Sequence, residues 1–295
     1  MRNPRLFLLT MLVLMSAAKA QAQRYHLITI DYPGAGCTVA TGINSSGEIV
    51  GTYSRDSSCL DNRGYVVDKQ GHFRTIDFPG SSFTTAQGIS PNMVVGLYRS
   101  GGQDFGYSVD NRGDYTSVEF AGAAGTETFG INSVGQIVGS YTLTGQGSNN
   151  SFLFSSGSFT TIDPPGSVPP NGSSEAFGIN SSGVVVGAYG TEDQFTENHG
   201  YSLAGGVYTT IDVPGASLTR ATGINDSGQI VGDYQDGKGF HGYLLDSNGT
   251  FTRLDVPGAA STHAYGINDN GLIVGQYTDS TGNTHGVLAI PRQLR

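Results

Sequence analysis

Tryptophan is absent from this 295-residue chain, methionine occurs four times, and only 13% of the residues are charged. Lys and Arg number 15 against 24 Asp and Glu. Without a basic excess, the chain offers little to nucleic acid or to an anionic membrane surface, and neither is expected as a partner. The two cysteines, Cys37 and Cys59, do not form a CxxC pair or any zinc-type spacing. The 3.6-residue periodicity of helical repeats is also missing. No G-x-S-x-G elbow, HExxH helix, phosphate loop or dinucleotide fingerprint stands out. No cofactor and no metal site are expected.

Only one long apolar stretch is present, and it lies at the start. Arg2 and Arg5 precede the run Leu6 to Ala18, and Ala18-Lys19-Ala20 and Ala20-Gln21-Ala22 follow it. A basic start, a short apolar run and small residues at two positions predict a secretory signal over residues 1–22 and one domain over 23–295. The run is shorter than the roughly 20 residues of an ordinary span, so no membrane span is expected after signal removal. Loss of Arg2, Arg5 and Lys19 leaves 12 basic residues against 24 acidic ones, a net charge near −12. The expected location is secreted or periplasmic, and the expected state is a monomer.

Glycine dominates what remains, with 45 residues, alongside 15 Tyr and 14 Phe. A Gly-Ile-Asn triplet, once Gly-Ile-Ser, begins at Gly42, Gly88, Gly130, Gly178, Gly223 and Gly266. Each is followed by an apolar pair, a glycine, any residue and a tyrosine: Tyr53, Tyr98, Tyr141, Tyr189, Tyr234 and Tyr277. Each is preceded by an aliphatic-acid pair ending in Asp31, Asp77, Glu119, Asp163, Asp212 or Asp255. Every unit divides into four short strand candidates, designated B, C, D and A in chain order, each bounded by turn residues. Gly47, Gly135, Gly183, Gly228 and Gly271 suit the left-handed position of the C–D hairpin, and Asn92 is the substitute expected in the shorter second copy. Four strands in about 45 residues is the arithmetic of a propeller blade. The mature chain opens on a strand B and closes on a lone strand A, His285 to Ile290. Pairing these two would complete six blades and hide an apolar edge. The fold class expected is therefore all-β, a six-bladed β-propeller closed by its C-terminal strand.

These repeats resemble the extracellular repeat family named for its His-Ala-Phe (HAF) signature. The resemblance covers about residues 25–290 and is carried by Ile-Asn-x-x-Gly-x-Ile-Val-Gly, as in Ile43 to Gly51 and Ile131 to Gly139. The signature itself is altered to His199-Gly200-Tyr201, His241-Gly242-Tyr243 and His285-Gly286-Val287. The resemblance implies export and a propeller-like array, and it supplies no established activity.

In an antiparallel meander the B–C and D–A loops share one end of the blade, and here they carry nearly all the length variation. Such loops on a rigid scaffold are where binding usually sits. Cys37 and Cys59 fall on that same face, which predicts a Cys37–Cys59 disulfide contributing about 3 kcal/mol. The six acids also end strand B there; a cation-holding ring is conceivable, and an acid accepting hydrogen bonds from the turn amides is the plainer reading. The six tyrosines are read as inter-blade packing. The leading function is a non-enzymatic binding or scaffold module, taking a glycan, a small ligand or a surface protein on the loop face. The alternative is a carbohydrate hydrolase or lyase with an acid-based site. The insert-bearing fourth unit offers the first residues to test: Glu175, Glu192, Asp193, Glu197 and His199. Broken symmetry separates the two readings. An enzyme should show a deep pocket with acids or His drawn from only some of the units.

Overall fold

The structure is a computed structural model and describes residues 24–167, 172–190 and 198–292. The secretory signal expected over residues 1–22 lies outside the described residues. Strand β1 (Tyr25–Ile30) opens the chain. Blade 1 holds β2 (Cys37–Ile43), β3 (Ile49–Ser54), β4 (Arg63–Val67) and β5 (Phe73–Ile76). Blade 2 holds β6 (Phe83–Ile89), β7 (Met93–Ser100), β8 (Gln103–Asp110) and β9 (Tyr115–Val118). Blade 3 holds β10 (Ala123–Ile131), β11 (Ile137–Leu143), β12 (Asn150–Ser155) and β13 (Ser158–Ile162). Blade 4 holds β14 (Ser173–Ile179), β15 (Val185–Gly190), β16 (Asn198–Ala204) and β17 (Val207–Ile211). Blade 5 holds β18 (Leu218–Ile224), β19 (Ile230–Asp236), β20 (Gly239–Leu245) and β21 (Phe251–Leu254). Blade 6 holds β22 (Ser261–Ile267), β23 (Ile273–Thr278) and β24 (Thr284–Pro291), and takes β1 as its fourth strand. The chain is an all-β six-bladed propeller with four antiparallel strands per blade.

Closure is by the expected pairing. β1 runs antiparallel to β24, from Tyr25 opposite Pro291 to Ile30 opposite Gly286. Both chain ends thus share one sheet, and the apolar edge of β24 is covered.

The repeated triplet now has a physical account. Strands β2, β6, β10, β14, β18 and β22 are the innermost of their blades and touch one another in a closed circle. The Gly of each triplet sits where neighbouring blades meet at the axis. A Cβ on Gly42 would lie 3.3 Å from Gly88 Cα, and the chain of contacts continues round to Gly266 against Gly42 at 3.2 Å. The Ile fills the blade core. The Asn closes the C–D turn, its Oδ1 accepting from the amide two or four residues on, as at Asn225 and Gln229 (2.9 Å). Its Nδ2 then reaches the next blade: Asn132 donates to the Asn180 carbonyl, Asn180 to that of Asn225, Asn225 to that of Asn268, and Asn268 to that of Asn44.

Two expectations about the turns need correction. Asn92 does not adopt the left-handed conformation; only Cys59 and Ser156 do so among the described non-glycine residues. The two-residue turn Pro91-Asn92 closes with Ser90 N donating to Met93 O at 2.8 Å, and the Ser90 hydroxyl accepts from the Asn92 and Met93 amides. Among the described residues no turn amide donates to the acid after strand B, although Asp77 accepts from the Thr84 hydroxyl at 3.3 Å. The amide of the residue after the acid donates instead to a strand-C threonine hydroxyl, as from Tyr32 to Thr38 and Phe78 to Thr84.

Candidate functional site

Strand order decides which residues can meet. Strand B is the outermost of each blade, so Asp31, Asp77, Glu119, Asp163, Asp212 and Asp255 stand at the rim and do not converge on the axis. Several have local partners from strand A. His285 Nδ1 lies 3.0 Å from Asp31, His199 Nδ1 3.0 Å from Asp212, and His241 Nδ1 3.2 Å from Asp255. Arg63 takes the equivalent place beside Asp77 at 3.4 Å. The altered signature histidine is therefore a rim brace between strands A and B.

The six tyrosines sit on strand D, and three of them stack on the loop that joins their blade to the preceding one. Tyr53, Tyr98 and Tyr141 stack on Tyr32, Phe78 and Phe120 of the preceding B–C loop, with centroids 3.6–3.7 Å apart. Tyr98, Tyr141, Tyr189 and Tyr277 bring their hydroxyls to Ser117, Thr161, Thr210 and Thr29 on the outermost strand of their own blade. Cys37 and Cys59 form a disulfide, with Cα atoms 5.5 Å apart. It ties the D–A loop of blade 1 to the start of β2, and so places both loop types at one end.

At that end the central channel opens into a cavity of about 400 Å³. Its wall includes Val39, Thr52, Phe83, Thr85, Leu97 and Arg220, and its floor Thr41, Gln87, Phe129, Phe177, Thr222 and Tyr265. The floor residues are the extra residues of a β-bulge present in every innermost strand, between Ala40 and Gly42 in β2 and equivalently in the rest. A bulge of this kind re-aims one side chain, here toward the axis. Two smaller spaces of about 100 Å³ each lie further along the axis, around the glycine ring and the Ile-Asn turns.

Three residues before each triplet glycine comes one innermost-strand position per blade, Val39, Thr85, Glu127, Glu175, Arg220 and His263, of which Val39, Thr85 and Arg220 line the cavity. Each is in register with the residue after the strand-D glycine, for example Val39 with Thr52 and Arg220 with Asp233. The floor residues vary in type, and at this level the sixfold pattern breaks in charge as well. Blades 1 and 2 present neutral side chains, and blades 3 to 6 present ionisable ones.

Asp233 is the buried centre of this wall, with 0% exposure. Arg220 grips it in a fork, Nε to Oδ1 at 2.8 Å and Nη2 to Oδ2 at 2.6 Å, and His263 Nδ1 holds the second oxygen. Burial alone would raise the Asp233 pKa, but the bonds from His263 and Arg220 outweigh it and keep the carboxyl below its ordinary value. Glu127 has the opposite environment. Burial, then the Glu175 and Asp104 charges, push it up to about 7 against the weaker pull of Arg99. Glu175 is also raised by burial, opposed by a 2.9 Å hydrogen bond from Asn149 Nδ2 and by Arg220.

Of the residues singled out in the sequence, Glu175 alone is at this level. His199 lies on β16, two strands outward, and Glu192, Asp193 and Glu197 lie outside the described residues. Glu127, Arg220, Asp233 and His263 were not singled out. Their signal is a column rather than a motif: aligned on the triplet glycine, it is the column that changes from neutral to charged across the copies.

No family model matches the chain, and no curated protein does. Solved structures do resemble it. A gluconolactonase of Xanthomonas campestris is 13% identical, covers 93% of each chain and superposes with a TM-score of 0.56. A putative TolB of Agrobacterium tumefaciens is 17% identical over 71% of this chain and 74% of its own, with a TM-score of 0.55. A streptogramin B lyase is 12% identical over 93% and 90%, with a TM-score of 0.50. The chain shares the propeller fold of these lactonases and lyases. At such identities the likeness concerns the fold alone.

Proposed function

We propose that this chain is an exported propeller of the HAF-repeat type that binds a small, partly apolar ligand in the loop-side half of its central channel. The observation carrying this reading is the loss of sixfold symmetry around a cavity of about 400 Å³, a size within the range of small-molecule sites. Val39, Phe83, Leu97 and the floor aromatics supply apolar surface and Thr52, Thr85, Gln87 and Arg220 polar groups, so a ligand with an apolar part and a polar part fits both. The disulfide-tied loop of blade 1 contributes Asn62 to the cavity wall and keeps that wall fixed. The test is a thermal-shift screen of neutral, cationic and anionic small molecules. Ligands that raise the melting temperature of the wild type should lose their effect in Val39→Trp, which fills the channel, and keep it in His199→Ala at the rim. The reverse pattern would return the site to the loop face.

Acid–base chemistry on a carbohydrate is the second reading. It is favoured by Glu127, held near pH 7, and by the His263–Asp233 pair. An oligosaccharide turnover screen in which Glu127→Gln removes activity would support it; no turnover of any glycan would count against it.

A further inference from the structure

Two carboxylates on the innermost strands, Glu127 and Glu175, lack a counter-charge of their own. Glu127 and Glu175 occupy equivalent positions on adjacent innermost strands, each two residues before a floor phenylalanine, Phe129 and Phe177. Equivalent pairs in other blades, such as Val39 with Thr41 and Arg220 with Thr222, line the cavity together. The two phenyl rings touch, with centroids 5.3 Å apart at 57°. Two arginines are near enough to act on these glutamates, and both are committed elsewhere. Arg99 pairs with Asp104 at 2.7 Å and Arg220 with Asp233 at 2.6 Å. Among the described residues neither glutamate makes an ion pair. Glu175 has only the neutral Asn149 amide as a partner, and a largely buried carboxylate without a counter-charge is costly, a cost met when a cation arrives.

From these observations we infer that the channel takes an organic cation, an ammonium group set over the Phe129–Phe177 pair and beneath the Glu127 and Glu175 carboxylates. Aromatic faces attract such cations, most strongly where water is excluded. An alkylated ammonium also matches the neutral wall of Val39, Phe83 and Leu97 with its carbon substituents, which a small hydrated metal ion would not. The excess of 24 acidic over 12 basic residues past residue 20 favours the approach of a cation. Protonation links to binding. Glu127 is faced by Glu175 from β14 and by Arg99 and Asp104 from blade 2, and it must be ionised to hold the ammonium. Affinity therefore rises with pH through the neutral range.

The inference rests on the channel reading above, and one experiment separates the two. Choline and its uncharged isostere 3,3-dimethylbutan-1-ol are titrated calorimetrically into the intact protein. At about pH 8, choline should bind at least about tenfold more tightly than the alcohol, an advantage that the double variant Glu127→Gln/Glu175→Gln removes. Val39→Trp should abolish both. If the alcohol binds as well as choline, or the double variant keeps the preference, the cation inference fails while channel binding stands. If neither compound binds, or Val39→Trp leaves both unaffected, both readings fail. Should the double variant not fold, the wild type decides. Choline affinity should fall several-fold from about pH 8 to about pH 5.5, and a flat profile would overturn the inference.

Discussion

The two halves of the central channel are cut from the same six strands, yet they have opposite characters. Toward the C–D turns, one residue type recurs around the ring: Asn44, Asn132, Asn180, Asn225 and Asn268, with Ser90 in the sixth place. Four of these asparagines donate to the next blade's turn and so serve the ring itself. Toward the loops, five residues earlier in each strand, the equivalent positions hold Val39, Thr85, Glu127, Glu175, Arg220 and His263. Repeated residues at one end maintain the ring. Divergent residues at the other give it a direction, a polar side and an apolar side. In a symmetric scaffold the departure from symmetry marks the place where something asymmetric fits.

The comparison can be broken most severely at the constant half. Gly130→Ala would put a Cβ 2.6 Å from the Phe177 carbonyl oxygen and 3.1 Å from Gly178 Cα. A loss of about 4 kcal/mol or failure to fold is expected by denaturant titration, and a near-neutral result would remove the glycine ring from the account. Arg220→Met leaves Asp233 buried with half its partners gone. That should cost about 3 kcal/mol, whereas Arg63→Met at the exposed rim pair should cost under about 1 kcal/mol.

Glu127 sharpens the comparison through pH. Its folded pKa lies above its unfolded one, so the folded state holds the extra proton between about pH 4.5 and 7, and stability falls as pH rises across that window. Glu127→Gln should therefore gain roughly 2 kcal/mol near pH 8 and almost nothing near pH 4, read from paired denaturation curves.

The smallest expected effect concerns the closing blade. Tyr65, Tyr107, Phe152, Tyr201 and Tyr243 are fully buried at one strand-A position, where blade 6 has Val287. Leu27 of β1 likewise stands where the other blades place Phe73, Tyr115, Phe159, Tyr208 and Phe251. An apolar cavity of about 50 Å³ lies between them, lined by Leu27, Val287 and Ala289 among others. Val287→Phe should fill it and stabilise by about 1 kcal/mol, most visibly in slower exchange of the β1 amides. A loss instead would mean that the seam cannot take a ring.

Much of this architecture was legible in the sequence. The triplet glycines, the hairpin turns and the unmatched terminal strands express constraints that act identically in every copy, so repetition reveals them. The disulfide was legible because both cysteines fall at one end of the blade, Cys37 at the start of β2 and Cys59 in the D–A loop. The site was less so. A repeat shows four strands but not which end of the meander faces the axis, and that choice moved Asp31 and its five equivalents to the rim. It also brought Glu127, Arg220 and His263 inward, though none of them belongs to a recognisable motif. Asp233 is harder still, since its role comes from cross-strand register with Arg220 and from the neighbouring blade's His263.

The most direct measurement follows the ring resonances of Phe129 and Phe177 in selectively labelled protein, beside those of the rim residues Phe73 and Phe251, while choline is titrated in. The account predicts that the two channel resonances move together to saturation and that the rim stays still. Shifts confined to the rim, with the channel phenylalanines silent, would contradict it.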